Sequence, residues 1–231
     1  MKTIVRNTLF FNIVLLICGC SNGKTHFHPK VYFEQNYSIH EAPNYQENEP
    51  IDVNFTINLR NILEVNEVSQ LISVETSIRM MWKDYRVHAK LEKDTEYITL
   101  NPKAAEHFWI PDIFIDRSKN VRVPSYYVTP ASLRVYNNHV LRYSSRINFD
   151  VACSMDFYMF PVDQQLCEIK FESFGHTTNQ LKMAWVDGSN INPNISLAQF
   201  AVDVSLEDTY DTSYYELSYP GLYFFLFLIK N

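Results

Sequence analysis

Few side chains in this sequence stand in patterns that could carry out a reaction. There is no Gly-x-Ser-x-Gly elbow, no His-Glu-x-x-His helix and no phosphate-cradling glycine loop, and the whole chain holds only five glycines. His26 and His28 could share a metal, but no third ligand stands near them, so they read as solvated histidines. An enzyme is therefore not expected, and neither is a cofactor or a metal. What the sequence does offer is chemistry for holding a small molecule. Ser77 and Arg79 fall on one face of an alternating stretch, and Ser144 falls on the polar face of another, between Arg142 and Arg146. Taken alone, an arginine on a wet strand face is usually just solvated, and these residues by themselves do not set a site.

The elements that would carry these groups are strands. Ile51, Val53, Phe55, Ile57 and Leu59 alternate with Asp52, Asn54, Thr56, Asn58 and Arg60, the period of a strand buried on one face. Ile72, Val74, Ile78, Met80 and Trp82 oppose Ser73, Glu75, Ser77, Arg79 and Lys83 in the same way. From Leu141 to Val151, Tyr143, Ile147, Phe149 and Val151 oppose Arg142, Ser144, Arg146, Asn148 and Asp150. The runs 167–174, 181–186, 200–206 and 222–229 are short, β-branched or aromatic, and separated by turn residues. No long amphipathic helix is evident, and the pattern predicts an all-β antiparallel sandwich. The run from Leu222 to Ile229 is apolar at every position: either a strand buried on both sides or an approach to a membrane. At eight residues it is too short to span one as a helix.

With 231 residues and 46% hydrophobic side chains, the chain can bury one sizeable core. Its net charge of -6 provides no global basic field, so nucleic acid is not an expected partner. Residues 1–20 combine Lys2 and Arg6, an apolar stretch and small residues, the pattern of a secretory signal peptide. Cys18 and Cys20 leave with it, unless Cys20 is a lipidated bacterial terminus. Residues 21–47 are polar and broken by Pro29 and Pro43, and read as a mobile arm with one short helix. The sandwich is expected over residues 48–231. Asn36, Asn54 and Asn194 each begin an Asn-x-Ser/Thr glycosylation acceptor. Together with the leader they favour export, and an exported lone pair such as Cys153 and Cys167 is by default a disulfide. Thirteen residues lie between the two, Phe160-Pro161-Val162-Asp163 among them. A loop of that length contributes about 3 kcal/mol in the chain-entropy picture.

That loop resembles the signature of the pentameric Cys-loop receptors. Trp82-Lys83-Asp84-Tyr85-Arg86-Val87 resembles the family's W-x-D-x-R-L, and Trp109-Ile110-Pro111-Asp112 its W-x-P-D. The resemblance runs in order over about residues 48–231 and is nearest to the GABA type A, glycine and glutamate-gated chloride channel subunits. It implies a ten-strand extracellular sandwich, five copies in a ring, and a neurotransmitter held at each seam between copies. On the principal face the motif positions are Phe114, then Glu172, Ser173 and Phe174, then Tyr214 and Tyr219, the last within a GABA-receptor-like Ser218-Tyr219-Pro220. Such aromatics would hold an ammonium, at about 0.5–2 kcal/mol for each close ring face, and Glu172 would add charge. On the complementary face the resemblance sets Arg79 and Ser144 at the carboxylate-holding positions, a guanidinium and a hydroxyl that together suit a carboxylate, with Ser77 beside them. The disulfide loop would touch the pore-forming domain, with Phe160 and Pro161 as its apolar tip and Asp163 as a charged lock.

The departures from the family shape the expectation. Residues 205–221 contain no cysteine, unlike the third box segment of nicotinic, glycine and glutamate receptors, which disfavours those three subfamilies. Ser77 stands where an aromatic is usual. Glu216 stands where GABA-binding subunits carry a small hydroxyl residue, and an acid there would favour a cation and repel a second carboxylate. The resemblance thus implies the ligand-binding part of an anion-selective, amino-acid- or amine-gated channel at the outer side of the cell membrane, with the pore domain missing from this chain. Two alternatives remain: a secreted binding protein resembling the acetylcholine-binding proteins, or an adhesion-type sandwich that shares only the disulfide spacing.

Overall fold

A computed structural model describes residues 30–44, 49–124, 127–214 and 216–230. The expected leader, residues 21–29 and residues 45–47 of the arm lie outside this part. In chain order the strands are β1 (Val31–Phe33), β2 (Ile51–Asn66), β3 (Leu71–Lys83), β4 (Val87–Ala89), β5 (Tyr97–Leu100), β6 (Ile113–Ile115) and β7 (Ser118–Arg122). They continue as β8 (Ala131–Tyr136), β9 (Val140–Ala152), β10 (Gln164–Ser173), β11 (Leu181–Trp185), β12 (Asn190–Ile191), β13 (Phe200–Tyr214) and β14 (Leu217–Lys230). One 3-10 turn, Pro102–His107, is capped by Asn101, whose side chain accepts from the Lys103 amide.

The sandwich read from the sequence is present. One layer runs β11-β2-β3-β9-β8-β5, with β12 on β2 and β7 on β9, and the other runs β13-β14-β10-β6. The pairing is antiparallel except that the short strands β11 and β12 run parallel to β2. Between the layers, Phe55, Trp82, Leu141 and Phe149 of the large sheet meet Ile169, Phe171, Phe224 and Leu226 of the small one. Phe55 and Phe149 approach Phe171 with ring centroids 5.1 and 6.4 Å apart. The disulfide joins Cys153, just past β9, to Cys167 in β10, and so staples one sheet to the other.

Two details differ from the simple sequence pattern. Thr56 and Asn58, expected on the wet side of β2, are buried. The segment around β12 covers them: the Asn190 amide donates to Asn58 Oδ1 at 3.1 Å, and the Ile57 amide donates to Ser189 Oγ at 3.1 Å. The apolar run 222–229 resolves into a strand with two unlike faces. Leu222, Phe224, Leu226 and Leu228 enter the core, while Tyr223, Phe225, Phe227 and Ile229 point outward. Among the described residues no helix is long and apolar enough to cross a membrane.

The described part of the expected arm, residues 30–44, holds a strand and turns docked on the body and no helix. β1 pairs with β4. The W-x-D-x-R stretch explains the docking: the fully buried Asp84 receives Nε and one terminal nitrogen of Arg86, both at 2.8 Å. Arg86 then donates to the Glu41 carbonyl at 2.8 Å and lies over the Tyr37 ring at 4.8 Å. The Tyr37 hydroxyl accepts from the Trp109 amide at 2.7 Å, and burial pushes its pKa up to about 12. Trp82 and Trp109, the leading residues of the two tryptophan motifs, meet edge to face at 6.2 Å.

Candidate functional site

Arg79 and Ser144 are register partners across β3 and β9, and Ser132 of β8 continues the row beyond Ser144. Because side chains alternate along a strand, Ser77, Arg79, Arg142, Ser144, Ser132 and Arg134 all share the outward face of the large sheet. Arg79 is half-buried, and no ion pair among the described residues neutralises it. Burial, followed by the charges of Arg142, Arg134 and Arg60, pushes its pKa below the ordinary guanidinium value. Ser77 lies opposite Arg146, which reaches Glu75 at 3.5 Å.

Phe114, Glu172 and Phe174 gather at the β6 edge of the small sheet. Phe114 is the register partner of Glu172, and its ring meets Phe174 edge to face at 5.8 Å. Phe174 stands 78% exposed, a large apolar surface left open to solvent. Tyr219 pairs with Thr212 in the β13–β14 hairpin, half-buried, one strand from Glu172. The Thr178 amide donates to the Ser218 carbonyl at 2.8 Å and holds that hairpin against the segment after β10. The side chain of Tyr214, the other tyrosine expected here, lies outside the described part.

Two members of this group have other work. Ser173 is buried, with its hydroxyl donating to Asp112 Oδ1 at 2.7 Å and accepting from the His176 amide at 3.0 Å. It lies behind the aromatics and fixes the turn that presents Phe174. Glu172 is only 4% exposed. Its Oε2 sits 2.6 Å from Lys170 Nζ and accepts from Thr212 Oγ1 at 3.1 Å. Its charge is therefore already balanced by a lysine on the same strand and the same face, a pairing that the two-residue spacing of Lys170 and Glu172 makes legible once the strand is assigned.

Sequence reasoning also missed Asp112 and His176 as a unit. Asp112 Oδ1 lies 2.8 Å from His176 Nδ1, and Oδ2 accepts from the Gly175 amide at 2.6 Å. A Cβ on Gly175 would stand 3.1 Å from that oxygen, so the close approach favours glycine. The bond to Asp112 raises the His176 pKa more than burial lowers it. Burial pushes Asp112 up, but hydrogen bonds from His176, Ser173 and Gly175 outweigh it and leave its pKa low.

Arg79 and the aromatic group occupy the outward faces of opposite sheets. Packed sheets lie about 10 Å apart, so a single copy does not bring these groups together.

The disulfide loop projects an apolar tip. Tyr158, Met159, Phe160 and Val162 are exposed, together with Val68 in the β2–β3 turn. Asp163 is buried: its carboxylate takes a hydrogen bond from Gln165, and its carbonyl accepts from the Lys230 amide at 3.1 Å. Lys230 Nζ lies 4.5 Å from the centre of the Phe160 ring and 2.6 Å from Glu67 Oε1. One lysine thus links the loop tip to the β2–β3 turn. The acceptors Asn36, Asn54 and Asn194 are exposed.

A two-layer β-sandwich stapled between its sheets, with an aromatic cluster on one layer and an arginine–serine row on the other, defines a ligand-binding module. Residues 30–224 match the family described as the neurotransmitter-gated ion-channel ligand binding domain, and the chain belongs to that family. It is 29% identical over 167 residues to a glutamate-gated chloride channel of Drosophila melanogaster, covering 69% of this chain and 35% of that protein. It is 28% identical to the gamma-aminobutyric acid receptor subunit pi of Bos taurus, over 72% of this chain and 38% of that one. It is also 28% identical to subunit theta of Mus musculus, over 68% and 24%. The chain thus spans between about a quarter and two fifths of these relatives' lengths.

Proposed function

We propose that this chain is the extracellular ligand-binding part of a pentameric, anion-selective channel gated by a small amino acid or amine. The ligand lies at the seam between neighbouring subunits. Arg79 and Ser144 of one subunit hold its carboxylate through charge-assisted hydrogen bonds. Phe114, Phe174, Tyr214 and Tyr219 of the next surround its ammonium. Ser173 positions Phe174, and Ser77 widens the floor where a ring is usual. The Cys153–Cys167 loop, tipped by Phe160 and Pro161 and locked by Asp163, passes the rearrangement to a pore domain.

The observation that carries this reading is the Arg79–Ser144 pair on an outward sheet face, where no ion pair among the described residues neutralises the arginine. The relatives support the ligand class: they are a glutamate-gated chloride channel and gamma-aminobutyric acid receptor subunits. Residues 21–231, fused to a known pore domain, are screened by current against amino acids and amines. A response abolished by Arg79→Ala, with surface expression retained, supports the reading. Silence from every agonist with the protein at the surface overturns it. The exposed tip at Val68, Tyr158, Met159, Phe160 and Val162 favours attachment to a pore over a secreted binding protein, since a free protein would keep that surface in water. Stable ligand-binding pentamers of the chain alone, with no functional fusion, would favour the secreted form.

A further inference from the structure

Of the glycosylation acceptors, Asn36 and Asn194 lie in exposed turns, the usual setting for such sites, whereas Asn54 lies within β2. Asn54 also lines a cavity of about 630 Å³ beside the β2–β3 pair, toward the β11 edge of the large sheet. Side chains alternate along a strand, so Asp52 and Asn54 face the same way, and the register sets Met81 of β3 beside Asn54. Lys83 and the 52% exposed Tyr85 line the same cavity. Its volume falls in the range of about 300–1,000 Å³ typical of clefts that hold small molecules. Among the described residues no hydrogen bond or ion pair occupies the side chains of Asp52, Asn54 or Lys83, and the Lys83 ammonium lies 5.8 Å from the centre of the Tyr85 ring.

The acceptor triplet Asn54-Phe55-Thr56 supplies a second, independent observation. Phe55 is fully buried and Thr56 is 7% exposed. Thr56 Oγ1 is buried without a hydrogen-bond partner, a costly arrangement that the packing around β2 does not call for. A hydroxyl two residues after the asparagine is what an N-glycosylation acceptor requires. In the folded chain that hydroxyl is shut away, so any transfer to Asn54 has to precede folding, and β2 and β3 then close beside an asparagine that already carries its sugar.

We propose that Asn54 carries an N-linked glycan whose first sugars are seated in this cavity, so that the chain holds its own carbohydrate as part of the fold. The bond forms between Asn54 Nδ2 and the anomeric carbon of an N-acetylglucosamine while the bond from that carbon to the diphosphate of a lipid-linked oligosaccharide breaks. The amide gives up one proton, the diphosphate leaves as an anion, and nothing is oxidised or reduced. In the cavity the C–H face of the sugar packs on Tyr85 and Met81, Asp52 accepts from its hydroxyls, and Lys83 donates to its acetamide oxygen. None of this depends on the ligand proposed for Arg79 and Ser144.

The full chain is secreted from animal cells, and the peptide holding Asn54 is expected to carry a glycan by mass spectrometry. An endoglycosidase that cuts between the first two sugars is expected to release it at least about tenfold more slowly from the native than from the denatured protein. Tyr85→Ala should restore most of the lost rate. Asn54→Gln is expected to melt several degrees lower, and Asn54→Gln combined with Thr56→Val should melt no lower than Asn54→Gln alone, because the hydroxyl has no partner to lose. An unmodified Asn54 in secreted, folded protein overturns the proposal. Equally fast release from native and denatured protein also overturns it, since the glycan would then stand free in solvent. A double variant that melts lower than Asn54→Gln gives the Thr56 hydroxyl a place in the fold and overturns it too. If Asn54→Gln is not secreted, the release rates of the wild-type and Tyr85→Ala proteins decide.

Discussion

His176 Nδ1 lies 2.8 Å from Asp112 Oδ1, and this one pair holds the turn that carries the exposed ring of Phe174. The histidine also lines a cavity of about 650 Å³ with His40, Glu41 and Glu49. Its pKa is raised above the ordinary 6.5, so the stability it contributes is complete below that value and is lost as pH rises through the raised one. Asp112 is lowered from 3.8, so its contribution is present above that value and is lost as pH falls through the lowered one. The wild-type melting temperature is expected to be highest in mildly acidic solution and to fall toward alkaline pH. Replacing His176 with Gln should flatten that alkaline limb, as read by melting curves from pH 5 to 9; an unchanged slope would dismiss the pair as the cause.

Asp84 supports the docking of residues 30–44. Asp84→Ala leaves the half-buried Arg86 beside Tyr37 without its acid; removal of one partner from a fully buried pair costs about 3–5 kcal/mol, the upper limit here. Denaturant unfolding should show a loss of that order, and limited proteolysis should cut first within 30–44. Cleavage elsewhere at an unchanged midpoint would contradict it.

Lys170 and Glu172 are buried together, at 6% and 4% exposure. Lys170→Met alone, or Glu172→Leu alone, is expected to destabilise by about 3 kcal/mol or more, because each leaves a buried charge behind. The double replacement should recover most of that loss. Strictly additive single effects in chemical denaturation would show that the two charges are not coupled.

Phe160 is exposed on the disulfide loop and stacked under Lys230. In the fused receptor, Phe160→Ser is expected to leave agonist binding within about twofold while cutting the maximal current severalfold. An equal loss of binding and current would place Phe160 in the binding step instead.

Much of this architecture is legible from residue order alone. Period-two alternation marks β3 and β9, and it places Arg79 and Ser144 on outward faces because a pleated strand leaves no other choice. The W-x-D-x-R spacing sets Asp84 and Arg86 two residues apart, though nothing in it reveals that the pair anchors Glu41, 45 residues earlier. The limits have a common physical origin: burial imposed by chain that is distant in sequence. Thr56 and Asn58 look solvated until Ser189 and Asn190, 132 residues away, close over them. Ser173 matches a ligand-facing position, yet its hydroxyl turns inward because Asp112, 61 residues before it, offers a stronger acceptor than solvent. Arg134 and Arg142 become neighbours only once the hairpin register is known.

In the proposed ring, the placement of Arg79 and Tyr219 on opposite layers would give each subunit two unlike half-sites rather than one whole one. A subunit with Arg79→Ala and another with Tyr219→Ala would each form rings with no working seam. Mixed in one cell, they would create some seams where an intact arginine faces an intact tyrosine, and part of the lost response would return. Genetic defects in such a protein would thus mask one another across chains in a way that defects in a self-contained pocket never can.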